Sequence, residues 1–185
     1  MNNINLLAFL LNNKEEQFTI NQLAKALNIN YRIAHTQIKN LEQEGLIKTK
    51  RVGQALLCSL TNNYNKNIYL AEDKRRSKLL KDSTIKQIHL RYTKAKQPYI
   101  LLLFGSRAKQ EHTKHSDIDL LAITQQPEEI EEITKLIPKN IHLTTTTYEE
   151  FLKMKQSKQL TVVSEAINNN IILVGIEEYY RLLNQ

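Results

Sequence analysis

The chain has 185 residues, with 26 Lys and Arg against 19 Asp and Glu, and a pI near 9.4. That length allows one or two small domains, and the positive balance permits a nucleic-acid partner without requiring one. Cys58 is the single cysteine, so these residues form no intrachain disulfide, and no apolar run approaches a membrane span. A cytoplasmic location with no membrane partner is the expectation.

Residues 4–11, Ile-Asn-Leu-Leu-Ala-Phe-Leu-Leu, are expected to form a first helix. Thr19 followed three residues later by Gln22 is a capping-box signature. Ile20, Leu23, Ala24 and Leu27 then recur at helical spacing. Asn28-Ile29-Asn30 makes a short turn, with Asn30 placed to cap a helix over residues 30–44. In that helix Ala34, Ile38 and Leu41 form an apolar face, and Arg32, His35, Thr36 and Lys39 an opposed polar one. Gly45 ends it. Residues 46–50 and 54–60 are expected to pair as a hairpin around Arg51-Val52-Gly53, with Cys58 buried as a small hydrophobe.

This succession resembles the winged helix-turn-helix domains of bacterial and archaeal regulators over nearly all of residues 3–60. The resemblance implies that the helix over 30–44 enters a major groove of double-stranded DNA. Tyr31, Arg32, His35, Thr36 and Lys39 would then face the DNA, and Lys48, Lys50 and Arg51 would sit on the wing near phosphates. The same polar face also suits a module for protein contact or dimerisation.

Residues 66–98 hold ten Lys and Arg against three Asp and Glu, the most basic part of the chain. They are expected to be helical from about residue 68 to 96, with a break near Asp82-Ser83. The run Lys74-Arg75-Arg76 with Lys78 and Lys81 either extends a DNA-binding surface or is the solvated face of a connector. Chains of similar build associate through this region, so a homodimer on a palindromic site is expected. The division anticipated is 1–65, 66–98 and 99–185.

Residues 99–124 carry the chemistry. The run Tyr99-Ile-Leu-Leu-Leu-Phe104 reads as a buried strand stopped by Gly105. Gly105-Ser106 turns the chain into a polar stretch. Asp117-Ile118-Asp119-Leu120 then opens a second strand. Residues two apart in a strand share a face, so Asp117 and Asp119 project together while Ile118 and Leu120 enter a core. Two neighbouring carboxylates are costly without a cation between them. Magnesium, or manganese, suits oxygen ligands shared with substrate phosphates. A glycine-serine turn before a helix start offers backbone N–H groups and a hydroxyl to an anion. Arg107 follows that turn and is a candidate to neutralise phosphate charge. Lys109 and Lys114 are weaker candidates, and His112 and His115 lack a partner for a zinc site.

Gly105-Ser106 followed by Asp117-Ile118-Asp119-Leu120 resembles the signature of the minimal nucleotidyltransferases of the polymerase-beta-like superfamily. The resemblance implies an α+β fold in which a mixed sheet with flanking helices follows the winged helix-turn-helix. It also implies a bound nucleoside triphosphate, ATP in the first place, with Asp117 and Asp119 holding metal and Gly105, Ser106 and Arg107 holding the nucleotide.

Beyond residue 124, a helix is expected over 128–137 with Ile130, Ile133, Leu136 and Ile137 turned inward. A strand follows at 141–147, helices from 148 and over 161–168, a strand at 171–174 and a last helix at 176–183. The strand at 141–147 departs from the family pattern, which places a third carboxylate there. His142 holds that position, as a candidate ligand or base, and the strand has no Asp or Glu. Two functions follow. One is a DNA-binding protein that transfers a nucleotidyl group to a hydroxyl of a protein or small molecule. The other is a catalytically weak or inactive nucleotidyltransferase-fold regulator of transcription.

Overall fold

The computed structural model describes residues 3–109, 111, 113, 116–157 and 161–185. Lys114, His112 and His115, considered above, lie outside the described residues. The chain divides into two compact units, Met1–Glu72 with Asn184 and Asp73–Leu183 with Gln185.

In the first unit the elements are α1 (Asn3–Asn12), β1 (Phe18–Thr19), α2 (Ile20–Ala26), α3 (Tyr31–Gln43), β2 (Ile47–Val52) and β3 (Ala55–Leu60). The three strands form an antiparallel sheet in the order β1-β3-β2. Local chemistry fixes the helix starts. Thr19 and Gln22 form the reciprocal capping box, and the Asn30 side chain accepts a 2.8 Å bond from the Ile33 amide. Gly45 follows α3 at φ +71°, the left-handed position that ends a helix most easily on glycine. Leu7, Leu23, Ala34 and Leu41 are wholly buried, as is Cys58.

Two details differ from the sequence reading. The hairpin turn is Gly53-Gln54, so Arg51 and Val52 are strand residues paired with Leu56 and Ala55. Glycine permits so tight a turn that both flanking residues stay in the ladder. The two-residue β1 is too short to leave an alternating pattern. It exists because the extended Phe18 and Thr19, leading into α2, pair with Cys58 and Leu57.

Helix α4 (Lys66–Leu79) carries the chain from one unit into the next. The second unit continues with α5 (Ser83–Tyr92), β4 (Ile100–Phe104), α6 (Gly105–Ala108), β5 (Ile118–Ile123), α7 (Pro127–Lys135), β6 (Ile141–Thr146), α8 (Tyr148–Gln156), α9 (Val162–Asn168), β7 (Ile171–Val174) and α10 (Ile176–Leu183). Asp82 makes the anticipated break by capping α5: its Oδ1 accepts the amides of Thr84 and Ile85 at 2.8 and 3.3 Å. The helix stops at Tyr92, short of residue 96.

The sheet order is β6-β5-β4-β7, with β5 and β6 parallel and the other pairs antiparallel. Leu101, Leu103, Ile118 and Leu120 pack with Ile88 and Tyr92 of α5 and Ile130 of α7. Leu102, Leu121 and Ile172, which alternate with them, are equally buried. Both faces of the central strands are therefore covered, which is why they read as continuous apolar runs. Ile137 is buried as anticipated, but Leu136 is 69% exposed. Helix α7 ends at Lys135, and the C-cap position turns Leu136 outward.

Candidate nucleotide and nucleic-acid sites

Strand β5 delivers Asp119 to the open end of the sheet. Ile118 and Leu120 are buried in the core, so alternation sends Asp119 to the opposite face. Asp119 pairs with Phe104, the last residue of β4, and so lies beside the turn that follows. That turn begins with Gly105 at φ +68°. A methyl group there would collide with Asp119 Oδ2 and approach Cγ to 3.2 Å. The glycine is required twice, by its backbone angle and by the carboxylate resting over it. Ser106, half-buried, is the second residue of α6, whose N-cap Phe104 makes no side-chain cap bond.

Asp117 stands one residue ahead of β5 and is half-buried. Its carboxylate is fixed by Asn140, whose Nδ2 donates to Oδ1. The Asn140 carbonyl in turn accepts the Ile118 amide at 3.1 Å. Asn140 belongs to no motif along the chain. Its position one residue before β6, in parallel register with β5, was the available signal. His142 lies directly beside Asp119 in the β5–β6 ladder, at the register anticipated for a third carboxylate. Its Nδ1 is 3.9 Å from Asp119 Oδ1, beyond hydrogen-bond length but within ion-pair reach of a protonated ring. The imidazole is 71% exposed.

Arg107 is placed differently from the expectation of a phosphate contact. It is only 8% exposed. Its Nη2 donates to the Ser116 carbonyl at 3.2 Å and its Nε to the Asp117 carbonyl at 3.4 Å. Its Nη1 lies 3.8 Å from Asp82 Oδ2. The guanidinium is turned to the backbone that carries Asp117. Lys109, at the end of the same turn, is exposed.

A divalent cation suits the donors at this site in part. Asp117 and Asp119 supply hard carboxylate oxygens, and a glycine cradle leaves Asp119 room. Among the described residues no group of three His, Cys, Asp or Glu side chains is arranged as a metal cage.

In the first unit, Tyr31, Arg32, Thr36 and Lys39 are exposed on α3, with His35 half-buried. The Tyr31 and His35 rings lie 6.0 Å apart, and Thr36 Oγ1 donates to the Arg32 carbonyl at 3.0 Å. The wing residues divide. Thr49 and Arg51 share the face toward α3, where Thr49 Oγ1 donates to Glu42 Oε1 at 2.5 Å. Arg51 and Tyr31 line one cleft of about 430 Å³ together with Thr19, Asn21 and Gln54. Lys48 and Lys50 alternate onto the other face of the hairpin. The sequence grouped these three cations; the pleat separates them.

A family profile described as Polymerase beta, Nucleotidyltransferase matches residues 83–179, more than half of the chain. A second, described as HTH domain, matches residues 3–53. No curated protein matches the chain. Among solved structures, the MepR–DNA complex of S. aureus is 23% identical, covering 50% of this chain and 73% of that one, with a TM-score of 0.34. A double mutant of ZitR from Lactococcus lactis is 23% identical, covering 51% and 64%, also with a TM-score of 0.34. No helix among the described residues is long and apolar enough to cross a membrane.

Proposed function

The chain belongs to the polymerase beta nucleotidyltransferase family, and from that membership we propose that its second unit binds a nucleoside triphosphate together with a divalent metal. The observation that carries this reading is Asp119 resting over Gly105, with Asp117 held ready by Asn140. Asp117 and Asp119 would hold magnesium or manganese, which supplies Lewis-acid neutralisation of the triphosphate when bound. Gly105 gives phosphate close access to the backbone, and Ser106 adds a hydroxyl. ATP is the nucleotide to test first.

His142 bears on the chemistry. A third carboxylate beside Asp119 would add negative charge for the metal and accept a proton from an attacking hydroxyl. A neutral imidazole does only the second, and a protonated one does neither. The reading is therefore retained metal-nucleotide binding with slow transfer to a protein or small-molecule hydroxyl. Labelled ATP, manganese and candidate acceptor proteins test the transfer. Label that moves to an acceptor, and stops moving in Asp119→Ala, establishes an enzyme; binding without transfer leaves a nucleotide-responsive regulator.

The first unit is the DNA-binding half of this proposal, resting on the helix-turn-helix match and the exposed polar face of α3. A cytoplasmic regulator acting as a homodimer on a palindromic site is the arrangement proposed. Light scattering with and without DNA tests it, and a one-to-one complex with a single half-site would contradict it.

A further inference from the structure

We propose that Arg107 is a positioning residue: it seats the backbone of the metal-bearing Asp117 on the capped start of α5, and it does not bind the nucleotide. This rests on the metal-nucleotide reading given above.

The stretch between α6 and β5, residues 109–117, contains Lys, Gln, Glu, His, Thr, Ser and Asp and no apolar side chain. Its sequence offers no apolar side chain for burial, so the buried Ile118 that follows anchors only one side of Asp117 by packing. Asp117 sits at that end, outside the β5 ladder. Arg107, on α6 at the other end, spans the gap by donating to the Ser116 and Asp117 carbonyls at 3.2 and 3.4 Å. Asp82 completes the assembly. One carboxylate oxygen caps α5 through Thr84 and Ile85, and the other faces Arg107 Nη1 at 3.8 Å. The rigid α5, packed on the core through Ile85, Ile88 and Tyr92, becomes the reference against which Asp117 is aligned.

A planar guanidinium that spans two successive carbonyls is a geometry lysine does not reproduce. At 8% exposure the group is turned away from solvent, where a triphosphate would arrive. The supporting contact acts on the metal ligand through its main chain, as outer-shell groups do at metal sites.

The test measures Mn2+ binding to the full chain by electron paramagnetic resonance, without nucleotide and then with ATP, and melting temperature alongside. Arg107→Lys is expected to weaken Mn2+ binding about tenfold without nucleotide, by the usual effect of an outer-shell loss, and to weaken it by the same factor when ATP is present. Asp82→Asn keeps a good helix cap but loses the charge facing Arg107. It is expected to weaken Mn2+ binding severalfold with an unchanged melting temperature. Were Arg107→Lys to unfold the chain, Asp82→Asn alone decides. Unchanged Mn2+ affinity in Asp82→Asn, or a loss in Arg107→Lys that appears only with ATP, overturns the proposal. A wild-type chain that binds Mn2+ in neither condition removes the metal-nucleotide reading and this inference with it, a pattern distinct from the other two.

Discussion

Asp119 and His142 stand side by side in a parallel strand pair, the imidazole Nδ1 3.9 Å from the carboxylate. On the proposed metal reading, Asp119 offers a hard carboxylate oxygen and His142 a softer ring nitrogen. The substitution His142→Asp separates the two effects. Without metal it sets two like charges in adjacent strands and is expected to lower the melting temperature. With magnesium it adds a ligand and is expected to strengthen binding by about tenfold, since charge count sets affinity at hard-cation sites. Thermal melts in EDTA and in magnesium measure both. A variant insensitive to magnesium would show that this strand does not border the site.

Gly105→Ala tests the cradle. A side chain at positive φ costs about 1–2 kcal/mol, and the added methyl displaces the Asp119 carboxylate. The expected result is a stability loss of about 1–3 kcal/mol with loss of metal-nucleotide binding. Denaturant unfolding and calorimetry report the two separately. Full binding in the variant would mean that Asp119 works from another rotamer.

The wing makes a sharper prediction than the sequence allowed. Arg51 shares a cleft with Tyr31 on the α3 side, whereas Lys48 and Lys50 face away. Arg51→Ala is expected to weaken DNA binding and to reduce the slope of log affinity against log salt by about 1. Lys48→Ala and Lys50→Ala are expected to change it less. Arg32→Ala and Lys39→Ala on α3 should weaken binding as well. Gel retardation across a salt series measures all five, and equal effects from the three wing cations would refute the split.

His89 gives a pH dependence. Burial, with the nearby Arg76 charge, holds its pKa below the ordinary 6.5, and Nδ1 is buried with no hydrogen-bond partner among the described residues. Above pH 6.5 neither state carries the proton, and the group has no effect. As pH falls through 6.5 the unfolded chain takes up the proton first, so stability falls until the folded value is also passed. His89→Gln is expected to flatten the fall in melting temperature between about pH 7 and 5. An unchanged slope would place its cause in other groups.

Much of the fold was legible because local signals and burial agree. The Thr19–Gln22 box, the Asn30 cap, the Asp82 break and the apolar strands all appear where the residues place them. The candidate ligand pair could be picked out along the chain, but the residues that hold it in place could not. Asp119 is marked by alternation within β5, with Asp117 just ahead of the strand, and the register of His142 followed from the residues after it. Arg107 meets the Asp117 carbonyl with no spacing along the chain to announce it, and Asn140 reaches the Asp117 carboxylate only once β6 is set in register beside β5. Arginine beside a glycine-serine turn suggests phosphate; only burial and bonding direction show the carbonyls it meets. The exposed Leu136 shows the same limit, because helical periodicity does not say where the last turn stops.

The most direct measurement is calorimetric titration of ATP into the full chain, in magnesium or manganese and again in EDTA. The account predicts binding that requires the metal and is abolished in Asp117→Ala and Asp119→Ala chains that still fold. No heat with metal present, or equal binding by the alanine variants, would contradict it.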